Sequence, residues 1–209
     1  MSLILSACAS NVDRGSAPEL PYQPRETDVS VIYWGEKTDS GFRVAGLDTE
    51  KINPEFVRQE VNYPTDEKPG TIIVDQRARF LYLVQGSGKA IRYAVGVGPV
   101  ARAFEGGDAV IANKAAWPRW IPTPDMVKRN PEHYGPYKDG VDGGPRNPMG
   151  ARALYMHKDG KDTYYRVHGT NDPSSIGKAV SAGCIRLLNQ DIIDLYDRVT
   201  PGARIVVHG

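Results

Sequence analysis

Cysteine is almost missing from this sequence: Cys8 and Cys184 are the only two in 209 residues. A disulfide-stapled scaffold is therefore excluded, because at most one bridge can form. A Cys8–Cys184 bridge is discounted as well, since Cys8 sits on a polar, Pro-rich leader. Long apolar runs are also missing. No stretch reaches the roughly 18 residues that a membrane-spanning helix needs. Charge of one sign is missing too: 26 Lys and Arg against 25 Asp and Glu give a net charge of +1. No basic stripe interleaved with aromatics is present, so nucleic acid is not an expected partner. The four histidines, His133, His157, His168 and His208, show no metal-ligand spacing, so no metal is expected. There is no internal repeat and no low-complexity segment.

What is present is glycine and proline, 22 and 16 residues, between short apolar runs. That pattern predicts a turn-rich, mostly β protein. The length suits one good-sized domain with its own core.

At the start, Leu5-Ser6-Ala7-Cys8 matches the apolar-small-small-Cys pattern at which bacterial lipoprotein precursors are cleaved and lipidated. The charged and most of the apolar part of a signal are absent. Residues 1–25 are thus expected to be a truncated lipoprotein signal and flexible leader, with Cys8 as the lipidation site. A membrane is expected as a partner only through that lipid. Residues 26–69 read as an N-terminal lead-in, with a short strand at Val31-Ile32-Tyr33-Trp34 and then helical or irregular chain.

From Gly70 the pattern sharpens. Thr71-Ile72-Ile73-Val74, Arg79 to Val84 and Ala90 to Val95 read as a meander, with Gln85-Gly86-Ser87-Gly88 as its turn. Gly86-Ser87-Gly88-Lys89 lacks the spacing of a phosphate loop. Pro99 to Pro148 reads as a long ordered loop region flanking a groove. Ala153 to Met156 and Tyr164 to His168 read as two further strands. Ile192, Leu195, Tyr196 and Val199 recur at helical spacing, with Asn189 as candidate cap and Pro201-Gly202 as stop. Arg204 to Val207 is a last strand.

The chemistry concentrates in His168-Gly169-Thr170 and Ser181-Ala182-Gly183-Cys184-Ile185-Arg186. A turn of small residues leaves the Cys184 thiol accessible and lets main-chain N–H groups point at a developing oxyanion. His168, at a strand end, is the candidate proton acceptor. Its ring needs an orienting group, for which Asp172 and the Gly169 carbonyl are candidates. A structural cysteine and an isolated structural histidine remain open on these residues alone.

These two motifs resemble the signature of the L,D-transpeptidase catalytic domain, the YkuD family, in which His-Gly-Thr is followed by a variable loop and Ser-His-Gly-Cys-(Ile/Val)-Arg. Arg146-Asn147-Pro148-Met149-Gly150 resembles a further family element, and the likeness extends from about Gly70 to Val207. Ala182 departs from the pattern where many members carry His. What that residue contributes in those members is mainly its main-chain N–H, which Ala can also supply; the departure removes one imidazole, so His168 is left as the base.

The resemblance implies a β-sandwich of mixed sheets with a helix after the catalytic turn, occupying residues 70–209. It implies a transferase without a cofactor, acting on peptidoglycan stem peptides in the periplasm or cell envelope. Cys184 is the implied nucleophile and His168 the base and later acid. The N–H groups of Gly183 and Cys184, with Ala182, form the implied oxyanion hole. Arg186, Ser181, Gly169 and Tyr155 are the implied substrate-binding residues; Arg186 fits equally a structural ion pair, and Tyr155 and Trp120 equally core packing. The acyl acceptor is another stem, an envelope protein lysine, or water, the last making a carboxypeptidase. A non-catalytic peptidoglycan-binding lipoprotein is the reading from outside enzymology. The family's cysteine is acylated by carbapenems, which separates that reading from the others.

Overall fold

The computed structural model describes residues 35–98, 104, 106–179 and 183–209. Cys8, the leader, the Val31–Trp34 run, Ser181 and Ala182 lie outside the described residues.

Two short strands, β1 (Lys37–Asp39) and β2 (Phe42–Val44), form a hairpin. Its turn residues Ser40 and Gly41 both have positive φ, 50° and 82°, the twist that matches flanking strands. Then come β3 (Gln59–Asn62), β4 (Ile72–Asp75), β5 (Phe80–Gly86), β6 (Lys89–Ala94) and β7 (Gly107–Ala116). Two short helices follow, α1 (Pro124–Arg129) and α2 (Pro131–Tyr134), each with proline in its first turn and an Asn or Thr cap. The chain ends with β8 (Arg152–Lys158), β9 (Lys161–His168), β10 (Ile185–Arg186), α3 (Asn189–Arg198) and β11 (Arg204–His208).

Nine strands make one mixed sheet in the order β10-β9-β8-β7-β11-β4-β5-β6-β3. The joints β10–β9 and β11–β4 are parallel and the others antiparallel. The two layers expected from the sequence are thus two halves of a single sheet that curls on itself. Its seam is closed by Gly96, just past β6: the Gly96 N–H donates to Arg186 O at 2.9 Å, and the Arg186 N–H donates to Gly96 O at 2.8 Å. Only glycine fits there, because a Cβ on residue 96 would lie 2.5 Å from the Ser175 carbonyl oxygen.

Both halves share one core. Ile72, Leu81, Ile111, Leu154, Met156, Ile185 and Ile205 are fully or nearly fully buried in it. Helix α3 adds Ile192 and Leu195, and burying each is worth about 1.5–3 kcal/mol. The helix starts one residue earlier than expected: Leu188 is its cap residue, and Asn189 is its first residue. The Asn189 amide oxygen instead accepts the Ala151 N–H at 2.9 Å, stitching the helix to β8. At the other end, Lys114 Nζ donates to the carbonyls of Tyr196 and Val199 at 2.6 and 2.7 Å. A lysine from β7 thereby closes the helix's unpaired C-terminal carbonyls.

Two parts of the sequence reading need correcting. The 99–148 stretch is not loop throughout, since it contains β7, a ten-residue strand inside the sheet. Its run of Asp, Ala, Asn and Lys has low strand preference, and pairing on both sides with β8 and β11 overrides that preference. The lead-in after position 35 is also regular in part. It supplies β3 to the sheet edge, and Arg58 forms ion pairs with Asp194 at 3.3 Å and with the fully buried Asp191 at 3.6 Å. Asp39 grips Arg152 with both carboxylate oxygens, at 2.6 and 2.7 Å, and accepts the Trp117 indole N–H at 2.7 Å.

Candidate active site

His168 ends β9, and β10 runs parallel beside it, with Ile185 opposite Val167 and Arg186 opposite His168. Ile185 and Val167 point into the core. The alternation of a strand then puts Arg186, His168 and Arg166 on the opposite face. Cys184 immediately precedes β10. The main chain of Arg166 hydrogen-bonds its thiol, and Sγ lies 3.9 Å from the Tyr164 carbonyl oxygen. Cys184 and His168 thus flank one patch, and the same two guanidinium groups, Arg186 and Arg166, act on both.

The His168 ring is 5% exposed. Its Nδ1 lies 2.6 Å from the Gly169 carbonyl oxygen. Nδ1 therefore carries the proton, leaving Nε2 as the basic nitrogen. Asp172 plays no part in this, because its carboxylate takes the Ser174 N–H and hydroxyl at 3.1 and 2.7 Å. A Cβ on residue 169 would meet the Asn189 amide oxygen at 2.3 Å, so glycine is required where the chain turns past α3.

Burial lowers the His168 pKa to about 4, and the Arg186 charge adds to the effect. The carbonyls of Gly169 and Met149 hydrogen-bond the ring and act in the opposite direction. Burial pushes the Cys184 thiol above its ordinary value, against the Arg166 N–H and the two guanidiniums. At neutral pH the pair is thiol and imidazole, not thiolate and imidazolium.

Gly183 is buried with φ of 135°, a backbone open to glycine before the thiol. Arg186 makes no ion pair among the described residues, and its Nε is buried without a hydrogen-bond partner among them. Tyr155 is half-buried under the Arg166 guanidinium, 4.5 Å from the ring centroid, and Arg166 is held by Asp162 at 2.7 and 2.8 Å. Trp120 lies elsewhere, packed with Tyr134 and Tyr137 on the 118–141 excursion. A cleft of about 230 Å³ brings lead-in residues Arg43 and Leu47 against Thr170, Asn171, Pro173 and Asn189. Sequence reasoning missed Arg166, although its position two residues before His168 in a strand was the available signal.

A family model described as the L,D-transpeptidase catalytic domain matches residues 69–207. The chain belongs to that family. It is 32% identical over 150 residues to Probable L,D-transpeptidase YbiS of Escherichia coli (strain K12), covering 71% of this chain and 47% of that protein. It is 47% identical over 64 residues to Putative L,D-transpeptidase YkuD of Bacillus subtilis (strain 168), covering 31% of this chain and 37% of that one. The chain thus matches less than half the length of these L,D-transpeptidases. Among solved structures, a Brucella melitensis protein named as a probable carnitine operon oxidoreductase is 51% identical, with a TM-score of 0.51, over 75% of this chain and 96% of that one. An L,D-transpeptidase of Enterococcus faecium, 14% identical with a TM-score of 0.50 over 68% of this chain and 50% of that one, shares the fold.

Proposed function

We propose that this L,D-transpeptidase family member is a cysteine-dependent acyltransferase acting on peptidoglycan tetrapeptide stems. The observation that carries the reading is the His168 ring, fixed by the Gly169 carbonyl with Nε2 left basic, on the strand paired with the one that Cys184 leads into. Cys184 Sγ attacks the carbonyl joining the L-centre of diaminopimelate to the terminal D-alanine. Its proton passes to His168 Nε2. The negative oxygen of the tetrahedral intermediate is met by the N–H groups of Gly183 and Cys184, with Ala182. As the C–N bond breaks, His168 returns the proton to the departing D-alanine amine, and a thioester remains.

The side-chain amine of a second stem, or of a protein lysine, then attacks the thioester. The amide forms, the Cys184 thiol is restored, and the product is a cross-link or an anchored protein. With water as acceptor the same site acts as a carboxypeptidase. Arg186, with a buried Nε that has no described partner, serves as the carboxylate clamp. Gly169 orients the base, Ser181 belongs with it to the proposed substrate-binding set, and Tyr155 under Arg166 borders the site. The same reading places the chain in the bacterial periplasm or envelope, with Cys8 as its lipid-bearing residue.

Intact-protein mass spectrometry after incubation with a carbapenem tests the core of this proposal. One adduct on the parent and none on Cys184→Ala is the expected result. No adduct on either protein overturns the acyl-enzyme and favours a non-catalytic peptidoglycan-binding role.

A further inference from the structure

We propose that Asn147 is a positioning residue for His168, joining the base of the 118–147 excursion to the imidazole through the Met149 main chain. The inference rests on His168 being the base.

Asn147 is 1% exposed, and every polar atom of its side chain is used. Its amide nitrogen approaches three carbonyl oxygens, Pro118 at 3.0 Å, Val141 at 2.9 Å and Asp142 at 3.0 Å. Pro118 belongs to the arm leaving β7, and the other two to the arm that returns. One side chain therefore clasps both arms at the neck. A Trp120–Val141 bridge just beyond continues that clasp. Gly143 packs so closely on the Trp117 carbonyl that a Cβ would lie 1.9 Å from its oxygen.

The other end of the same amide faces the site. Asn147 Oδ1 accepts the Met149 N–H at 2.8 Å, and the Gly150 N–H donates to Asn147 O at 3.0 Å. These two bonds fix the Pro148-Met149 turn, and with it the direction of the Met149 carbonyl. That carbonyl hydrogen-bonds the His168 ring. Gly150, with φ of 63°, keeps the turn from backing away: a Cβ there would lie 2.5 Å from the Thr170 nitrogen and 2.6 Å from the Gly169 carbonyl carbon. The ring N–H is therefore fixed by the carbonyl of its own loop, and the Met149 carbonyl, whose aim Asn147 sets, is the second main-chain oxygen that acts on the ring. Both favour the charged ring, the form that His168 takes once it has accepted the thiol proton. A carboxylate at 147 has no donors for three carbonyls, and an apolar residue has neither donor nor acceptor.

A purely structural staple at the neck predicts lower stability and an unchanged site, so the test reads the imidazole directly. Asn147→Ala and Asn147→Asp are compared with the parent, at a temperature where each is folded. Asp has nearly the shape of Asn and retains the Met149 acceptor, which guards against an Ala variant that fails to fold. In each folded variant, carbapenem acylation at saturating inhibitor is expected to slow roughly 10- to 100-fold, as for a displaced reacting group. Non-covalent inhibitor affinity is expected to stay the same. The 15N resonances of the His168 ring are expected to leave the single Nδ1–H tautomer pattern of the parent. Folded variants with the parent's acylation rate and ring spectrum overturn the proposal. A parent that is never acylated, with the ring spectrum still moving on substitution, overturns the acyl-enzyme reading and leaves the positioning role standing.

Discussion

Arg186 lies directly across from His168 in the parallel pairing of β9 and β10, beside an imidazole that burial first, and the Arg186 charge second, keeps uncharged. This sets a pH dependence of stability. The unfolded ring takes up a proton near pH 6.5, and the folded ring resists until about pH 4. Between those values the unfolded chain binds more protons, so stability is lost as pH falls through that window, by about 3 kcal/mol in all. Carboxylates such as Asp39 and Asp194, held below 3.8, contribute losses only at lower pH. Denaturant unfolding of the parent at pH 7, 5.5 and 4.5 should show the fall, and His168→Gln should flatten it. A parent curve as flat as the variant's would contradict a neutral buried ring.

The proposed pair of Cys184 and His168 yields a kinetic prediction. Cys184→Ser should abolish stable carbapenem acylation, and His168→Ala should slow it by roughly 10²–10⁴, the usual worth of a general base. Cys184→Ser should unfold at nearly the parent temperature at neutral pH, whereas His168→Ala empties a buried site and should unfold lower. A parent-like acylation rate in His168→Ala removes the ring from its role.

Asp39 and Arg152 give a stability prediction away from the chemistry. The Arg152 side chain is 8% exposed and gripped by two oxygens of Asp39. Asp39→Ala leaves that guanidinium buried and unmatched, at a cost of roughly 3–5 kcal/mol. Arg152→Met in the same background should restore part of the loss. A single variant within 0.5 kcal/mol of the parent, the usual scatter of surface changes, would show that the hairpin is not bound to the sheet through this pair.

Phe56 and Gly177 give a coupled prediction. Gly177 lies between His168 and Cys184 with φ of 76°, and a Cβ there would sit 2.4 Å from the Phe56 ring. Gly177→Ala should lower stability by about 1–3 kcal/mol and slow acylation, because it displaces the loop leading to the thiol. Adding Phe56→Leu should relieve the clash and recover part of both. Purely additive losses in the double variant would mean that the two residues do not press on each other.

How much of this was legible in the sequence depends on where each signal resides. The meander β4–β6 was legible because Ile72 to Val74 and Leu81 to Val84 carry their preference in branched side chains, and Ser87-Gly88 supplies a turn with φ of 51° and 69°. Strand β7 was not, since its small and polar residues are extended only because neighbours pair with them. The helix after the catalytic turn announced itself by its apolar spacing, but Asn189 read as a cap because its actual partner, Ala151, is far away in sequence. Cys184 and His168 stood out through their motif. Met149 did not, since it acts by a main-chain carbonyl, which any residue has. Asn147 was visible as a motif member, while its work depends on three carbonyls that only folding gathers.

The Gly96–Arg186 seam bears on when the molecule becomes reactive. The hairpins of the meander need only near neighbours and form with little loss of chain entropy. The seam joins two distant parts of the chain, and among the described residues the strand that carries Arg186 pairs on that side with Gly96 alone. Until it closes, the two-residue strand that follows Cys184 is held on one side alone, by its pairing with β9. On the proposed chemistry the site is therefore complete only once two segments far apart in the sequence have met, so its geometry reports on the closure of the whole sheet.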